Sequence, residues 1–322
     1  MPESSFRCSD AARERQDPLV GTAPPQRRLL LVEQESGWAF DGFASLPVPQ
    51  DVKDEVRRRV EDAGGRTMLI RRPGRRSSTV CSLRAWCVVD PRARAGSRVT
   101  WGTWACPSEL LGAVERLEEL RDEVDRADTA DGAPGPASST GHDERLVLVC
   151  THGTKDVCCA VRGRPVAVRL AQEWPEETWE CTHTGGDRFA ANVVLLPDGA
   201  TYGSLDVDTA PGVVRAHRAG APDTAHLRGV TGHPRPVQAA VVAVHEQLGP
   251  LPWGAVSPRG RVPLVPGPDE LAAHRVTLDL ADGRAVEVDV REHGRAPVQL
   301  TCRTLEPKVS QVPVAGPVRV LP

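Results

Sequence analysis

Residues 125–143, DRADTADGAPGPASSTGHD, run for nineteen positions without one large apolar side chain. Such a stretch has nothing to bury and reads as a flexible linker. It divides the chain into two parts, and 322 residues are enough for two domains with cores that need no disulfide staples. The predicted organisation is an N-terminal domain over 1–124, the linker 125–143, a second domain over 144–250, and a remainder over 251–322.

Each part carries the same order of elements. In the first, LLLVEQ (29–34) is an apolar run of strand length, and QDVKDEVRRRVEDA (50–63) places Val52, Val56 and Val60 at helical spacing before Gly64 and Gly65 stop it. TMLIRR, AWCVVD and RVTWGTWA read as three strands. PSELLGAVERLEELRDEV (107–124) is a helix with Pro107 at its start and Leu110, Val114, Leu117 and Leu120 inward. In the second part RLVLVC (145–150) is a strand, PVAVRLAQEW (165–174) a helix and TWECTH a strand. NVVLLPDGATYGSL (192–205) is a hairpin around Asp198-Gly199, and PVQAAVVAVHEQL (236–248) is a helix. The repeated order β-α-β-β-β-α predicts an α/β protein of two thioredoxin-like units. After a Pro-rich bridge (250–268), HRVTLDLADGRAVEVDVREHG alternates about an Asp-Gly turn and predicts a C-terminal β-hairpin appendage. The Pro-rich end (306–322) is expected to lie along the surface.

Composition removes several functions. A net charge of −3 gives no pull toward nucleic acid or an anionic membrane. The N-terminal MPESSFRCSD lacks an apolar leader and no run of 18 apolar residues occurs, so the expected compartment is the cytoplasm, with no membrane association. Local Arg runs such as Arg71–Arg72 read as a solvated face. Aromatic residues make up only 4%, which disfavours a carbohydrate-stacking groove.

Nine cysteines in such a chain point to metal ligation or buried thiols rather than a disulfide framework. Four of them lie between 150 and 181. CTHGTKDVCC holds Cys150 and Cys159 with eight residues between them and Cys158 beside the latter; ECTHTGGDRF adds Cys181, His183 and Asp187. Structural zinc usually takes paired ligands two to four residues apart, whereas the wider gap suits a loop around a two-iron cluster. With no C-x-x-C, a thioredoxin-type dithiol is disfavoured. The Thr184-Gly185-Gly186 turn lets backbone approach closely. Buried packing thiols are the alternative, most strongly for Cys158 and Cys181. His152 reads as a donor behind the ligands or a loop residue, and Lys155 and Arg188 as cations flanking the site. His217, His226, His233 and His245 show no ligand spacing. Cys8, Cys81, Cys87, Cys106 and Cys302 read as packing thiols, though Cys302 could approach from the tail.

CTHGTKDVCCAVRGRPVA, WECTHTGGDRFAANVVLLPDGATYG and LRGVTGHPRPVQAAVVAV, with the N-terminal CSDAARERQDPLVGTAP and RRLLLVE, resemble the sucrase/ferredoxin-like family. The resemblance covers nearly the whole chain. It implies a thioredoxin-like ferredoxin domain with a [2Fe–2S] cluster, held by two Cys of a C-x8-C element and two His of an H-x3-H element. Carried over, these are Cys150, Cys159 and His183, with Asp187 where the pattern calls for the second His; Cys158 or Cys181 are the substitutes. An oxidised core of +2 with two thiolates, one imidazole and one carboxylate totals −1, between −2 for four thiolates and 0 for two thiolates and two imidazoles. That places the expected potential on the order of −350 to −100 mV.

The expected function is one-electron transfer with an unidentified redox partner protein, a reductase or an acceptor. A histidine ligand with a free ring nitrogen would couple reduction to a proton. The alternative is a redox-inactive or zinc-binding scaffold of the same fold. Sucrase activity is not expected, because no motif pairs two carboxylates as glycoside hydrolysis requires. No dinucleotide fingerprint appears either.

Overall fold

The run RLLLVE explains how the molecule begins to assemble. It forms strand β1 (Arg28–Glu33), buried on both faces, with Leu30 and Val32 in one core layer and Leu29 and Leu31 in the other. A strand with four successive apolar residues, Leu29–Val32, belongs inside a sheet covered on both sides. In the computed structural model, which describes residues 6–74, 83–129, 144–249 and 251–322, that sheet has nine strands.

The first half of the chain supplies helices α1 (Cys8–Glu14), α2 (Gln50–Asp62) and α3 (Pro107–Thr129), and strands β2 (Gly65–Arg71), β3 (Arg84–Val89) and β4 (Val99–Trp104). The second supplies β5 (Leu146–Cys150), α4 (Val157–Glu173), β6 (Thr178–Cys181), β7 (Val193–Leu196), β8 (Ala200–Tyr202), α5 (Thr209–Arg218), β9 (Leu227–Val230) and α6 (Arg235–Gln247). The strands lie in the order β4-β3-β1-β2-β6-β5-β7-β8-β9. β1 and β2 run parallel, as do β5 and β6, while the pairs outward from β1 and from β5 are antiparallel.

The halves join edge to edge. β2 pairs with β6 through Ile70↔Cys181 and Arg71↔Glu180. Thr182 extends the seam, donating its N–H to the Leu69 carbonyl at 2.9 Å and accepting the Leu69 N–H on its hydroxyl at 3.0 Å. Arg71 closes it with an ion pair to Glu180 at 2.7 Å. One apolar layer, including Leu31, Ile70, Leu148, Trp179 and Cys150, therefore runs across both halves.

Two expectations change. The C-terminal hairpin is the centre of a five-stranded sheet: β10 (Val256–Leu264), β11 (Ala272–Leu280), β12 (Ala285–Gly294), β13 (Gln311–Ala315) and β14 (Arg319–Val320). The bridge and the Pro-rich end thus contribute strands, and α6 packs its Val237, Val241 and Val244 against Val276, Val288 and Val290 of this sheet. The helix expected at 165–174 starts eight residues earlier, at Val157, so Cys158 and Cys159 are helical. Asp156 caps it by accepting the Cys158 N–H at 2.9 Å. Pro165 lies inside it and withdraws one donor from the carbonyl of Val161, a residue on the exposed face. Residues 130–143 of the linker and Cys81 lie outside the described residues, and α3 extends to Thr129.

Candidate metal centre

Strand β5 delivers Cys150 to its carboxyl end, inside the core. The chain then turns through 151–156 and returns as α4. The return is tight at Gly163, where a Cβ would fall 2.1 Å from the Cys150 carbonyl oxygen. That contact brings the first turns of α4, and with them Cys159, down onto Cys150. Thr151 holds the turn, its N–H on the Cys181 carbonyl at 3.1 Å and its hydroxyl on Glu180 at 3.1 Å.

The neighbouring strand β6 ends at Cys181, and its loop supplies the other candidates. The ligand atoms of Cys150, Cys159 and His183 all lie within 4.8 Å of one another. Asp187 Oδ1 is 3.2 Å from Cys159 Sγ and 2.9 Å from His183 Nδ1. Yet His183 Nδ1, buried, has no aligned hydrogen-bond partner. The nitrogen and the carboxylate oxygen are in contact without the alignment of a good hydrogen bond, and form an ion pair when the imidazole carries its proton. Two thiols, an imidazole and a carboxylate suit a borderline-soft metal such as iron. The residues therefore fit the group.

Electrostatics favour the ligating, deprotonated forms of Cys150 and Asp187 and keep protons on Cys159 and His183, which a bound metal would displace. Contact with Cys159, then His183, draws the Cys150 thiol well below its ordinary value despite burial. Contact with Cys150, with burial, pushes Cys159 up. Burial opposes charge on His183, but Asp187 and Cys150 hold its pKa up to about 9. Burial likewise opposes charge on Asp187, and His183 and Cys159 hold it below the usual carboxylate range.

The loop itself is clamped from behind by residues the sequence reading did not single out. Arg228, 1% exposed, donates to the carbonyl of Gly185 at 3.0 Å, to Asn192 Oδ1 at 2.8 Å, to the Thr22 hydroxyl at 3.0 Å and to the Thr22 carbonyl. Burial lowers its pKa to about 10. Arg66 donates to the carbonyl of His183. Gly186 has φ 73°, and a Cβ there would lie 2.4 Å from Arg228 Nη2. The only hint in the sequence was the LRGVTG segment carrying Arg228, which no local pattern links to residue 185.

His152 is buried rather than solvated. Its Nε2 donates to the Ala39 carbonyl at 2.7 Å, and its Nδ1 accepts the His183 N–H at 3.3 Å, which fixes one neutral tautomer. Burial accordingly lowers its pKa. Cys181 lies in the core behind Cys150, its thiol pushed up by burial. Like Asp187 it is outside the group of Cys150, Cys159 and His183, but unlike Asp187 it contacts none of their ligand atoms through a hydrogen bond or ion pair among the described residues. Cys158 points to a different group of residues. Lys155 sits over the Phe40 ring at 3.9 Å, and Arg188 pairs with Asp17 at 3.3 Å. His217 is buried away from the site, bonded to the Tyr202 hydroxyl and to Asp198. His183 faces a cleft of about 560 Å³ lined by Phe40, Arg57, Arg66 and Lys155.

A family model described as Sucrase/ferredoxin-like matches residues 19–229. A stretch of 81 residues is 33% identical to "Altered inheritance of mitochondria protein 32" of Meyerozyma guilliermondii, covering 22% of this chain and 29% of that protein. The match thus spans under a third of the curated relative's length. No solved structure matches. Among the described residues, no helix is long and apolar enough to cross a membrane.

Proposed function

The chain belongs to the sucrase/ferredoxin-like family, and on that premise we propose that it is an electron-transfer protein with a [2Fe–2S] cluster held by Cys150, Cys159, His183 and Asp187. The observation that carries this reading is the convergence of Cys150, Cys159 and His183 beyond the carboxyl ends of adjacent parallel strands, with Asp187 in contact with Cys159 and His183. The strand orders β2-β1-β3-β4 and β6-β5-β7-β8, each with one parallel and two antiparallel pairings, support two thioredoxin-like units, the second of them ferredoxin-like.

When bound, the cluster supplies a one-electron couple. The protein's part is to hold and tune it. Cys150 and Cys159 are the buried thiolate side of the site. His183, with 21% of its side chain exposed, is the side open to solvent, where a free ring nitrogen can hold or release a proton. Arg228, buried behind the loop, and the half-buried Arg66 place two positive charges beside it that offset the negative charge of the ligands. The cleft beside His183 is lined by Arg66 and Lys155 together with the Arg57–Asp41 ion pair and Glu61, a mixed polar surface on which a redox partner could dock. The thiol-rich composition supports a reducing compartment such as the cytoplasm, which cell fractionation would test.

Anaerobic purification followed by a visible spectrum and iron and sulfide counts tests the reading. A coloured protein with about two irons and two sulfides per chain is expected. Colourless protein with zinc in the place of iron at Cys150 and Cys159, or with no metal, would establish the scaffold instead.

A further inference from the structure

Cys158 precedes a cluster cysteine but turns away from it, because successive residues of a helix point about 100° apart. The direction it takes leads to a second constellation. Cys8 of α1, Cys158 and Asp156 of α4, and Cys302 of the loop between β12 and β13 offer four ligand atoms within 4.8 Å of one another. Cys158 Sγ lies 3.3 Å from Cys302 Sγ, Cys302 Sγ 3.5 Å from Cys8 Sγ, and Cys8 Sγ 3.6 Å from Asp156 Oδ1. Four donors around one zinc ion at Zn–S distances of about 2.3 Å sit about 3.8 Å apart at the corners of a tetrahedron. The observed spacings are close to that. We propose that these residues form a second metal site, a Cys3Asp site for one zinc ion.

The carboxylate is the independent argument. Asp156 is fully buried, and among the described residues no Lys, Arg or His lies within ion-pairing distance of it. Its oxygens accept the N–H groups of Cys158 at 2.9 Å and Cys302 at 2.7 Å, and the helix N-terminus adds partial positive charge. These orient it but leave a buried carboxyl group beside three thiols with no cation among the described residues. Buried charges are ordinarily paired or coordinate metals. Each carboxylate oxygen retains acceptor capacity for a metal. A disulfide would employ two of the three sulfurs and leave the third thiol and the carboxylate where they are. One borderline-soft divalent ion uses all four.

The site also has a mechanical meaning. Its ligands come from positions 8, 156, 158 and 302, so one ion would tie the N-terminal helix, the start of α4 and the C-terminal sheet's connecting loop together. Since Cys159 follows Cys158 directly, the ion would also fix the turn of α4 from which the cluster thiol hangs. This is a structural zinc in the sense that all ligands come from protein and no position is open for substrate.

Metal counts on the native protein and two double variants test the proposal. About one zinc per chain is expected in native protein beside any iron, and it should persist in Cys150→Ser/Cys159→Ser, which loses the iron site. In Cys8→Ser/Cys302→Ser the zinc should be lost while iron is retained. Zinc-edge X-ray absorption on native protein should report three sulfur ligands and one oxygen, so the proposal stays open to refutation even if a variant fails to fold. Native protein without zinc would overturn it. So would zinc that disappears with Cys150 and Cys159, a first shell containing nitrogen or only sulfur, or a mass two hydrogens lighter from a Cys158–Cys302 disulfide. Because the iron count reads the cluster site separately, failure of one assignment leaves the other legible.

Discussion

Gly186→Ala asks whether the ligand loop depends on the cation behind it. Gly186 adopts φ 73°, and an L-residue held in that left-handed region costs about 1–2 kcal/mol. The new Cβ would also stand 2.4 Å from Arg228 Nη2, 2.9 Å from its Cζ and 3.1 Å from Phe189 Cδ2. Arg228 cannot swing aside, because it is 1% exposed and its hydrogen bonds fix the guanidinium on Gly185, Asn192 and Thr22. Overpacking of this kind adds about 1–3 kcal/mol, so the total loss should be about 2–5 kcal/mol. The control is Gly185→Ala, one residue away. Its φ of 84° is equally left-handed, but a Cβ there meets nothing within 4 Å, so it should cost only the backbone term of about 1–2 kcal/mol. Urea unfolding of both variants in metal-free form, with iron retention measured alongside, separates the two terms. Equal losses for the two alanines would refute the reasoning, because they would mean that Arg228 does not confine the loop.

Asp187→His replaces an anionic ligand by a neutral one, so the cluster content should hold while the potential rises by on the order of 100 mV or more in a redox titration; a native potential well above 0 mV would already rule out an ionised Asp187 ligand. Arg228→Met leaves the Gly185 carbonyl and Asn192 Oδ1 without their buried donor and should destabilise the protein by about 2–6 kcal/mol in denaturant unfolding, at about 1–3 kcal/mol per unsatisfied acceptor, with unchanged stability as the contrary result. In metal-free protein the site binds one proton more than the unfolded chain at His183, whose ordinary pKa of 6.5 is raised to about 9, and one fewer at Cys150, whose ordinary value of 9.0 is lowered. The two cancel between pH 6.5 and about 9, so the site's contribution to stability should be level there and fall below pH 6.5, where the unfolded histidine also takes up its proton. His183→Gln removes the cancelling proton, and its stability should instead rise with pH across that window; the same level profile in the variant would refute the assignment.

The elements that could be read from sequence were those whose signal is local. β1, α2, α3, β5 and α6 each carry an apolar run or a helical stripe within their own residues, and the structure has them at nearly the expected positions. The strands that escaped notice lack that signal for physical reasons. β10 reads VSPRGRVPL and is exposed through most of its length, and β13 contains Pro313. Among the described residues β10 pairs only with β11, and β13 only with β12, so each has an edge side on which Pro is tolerated. Their places are set by α6 and the hairpin against which they pack, not by alternation of their own. The start of α4 was misplaced for a related reason. Pro165 resembles a helix start, but the cap at Asp156 and the fit of Gly163 against Cys150 override it.

The same division runs through the metal chemistry. The spacing from Cys150 to Cys159 and from His183 to Asp187 is written in short segments, because each pair sits on one loop or one loop–helix junction. What shapes their environment is not. Arg66 reaches the His183 carbonyl across 117 positions, Arg228 reaches Gly185 across 43, and Cys8 meets Cys302 across 294. A lone Cys in an N-terminal arm and another in a Pro-rich tail have no pattern to recognise until the sheet closes and lays both against the first turn of α4. Adjacent thiols in sequence, Cys158 and Cys159, then serve directions about 100° apart on one helix. The helical pitch, rather than any spacing rule for a single site, decides that the pair is split, and it places the two candidate metals on the same rigid element.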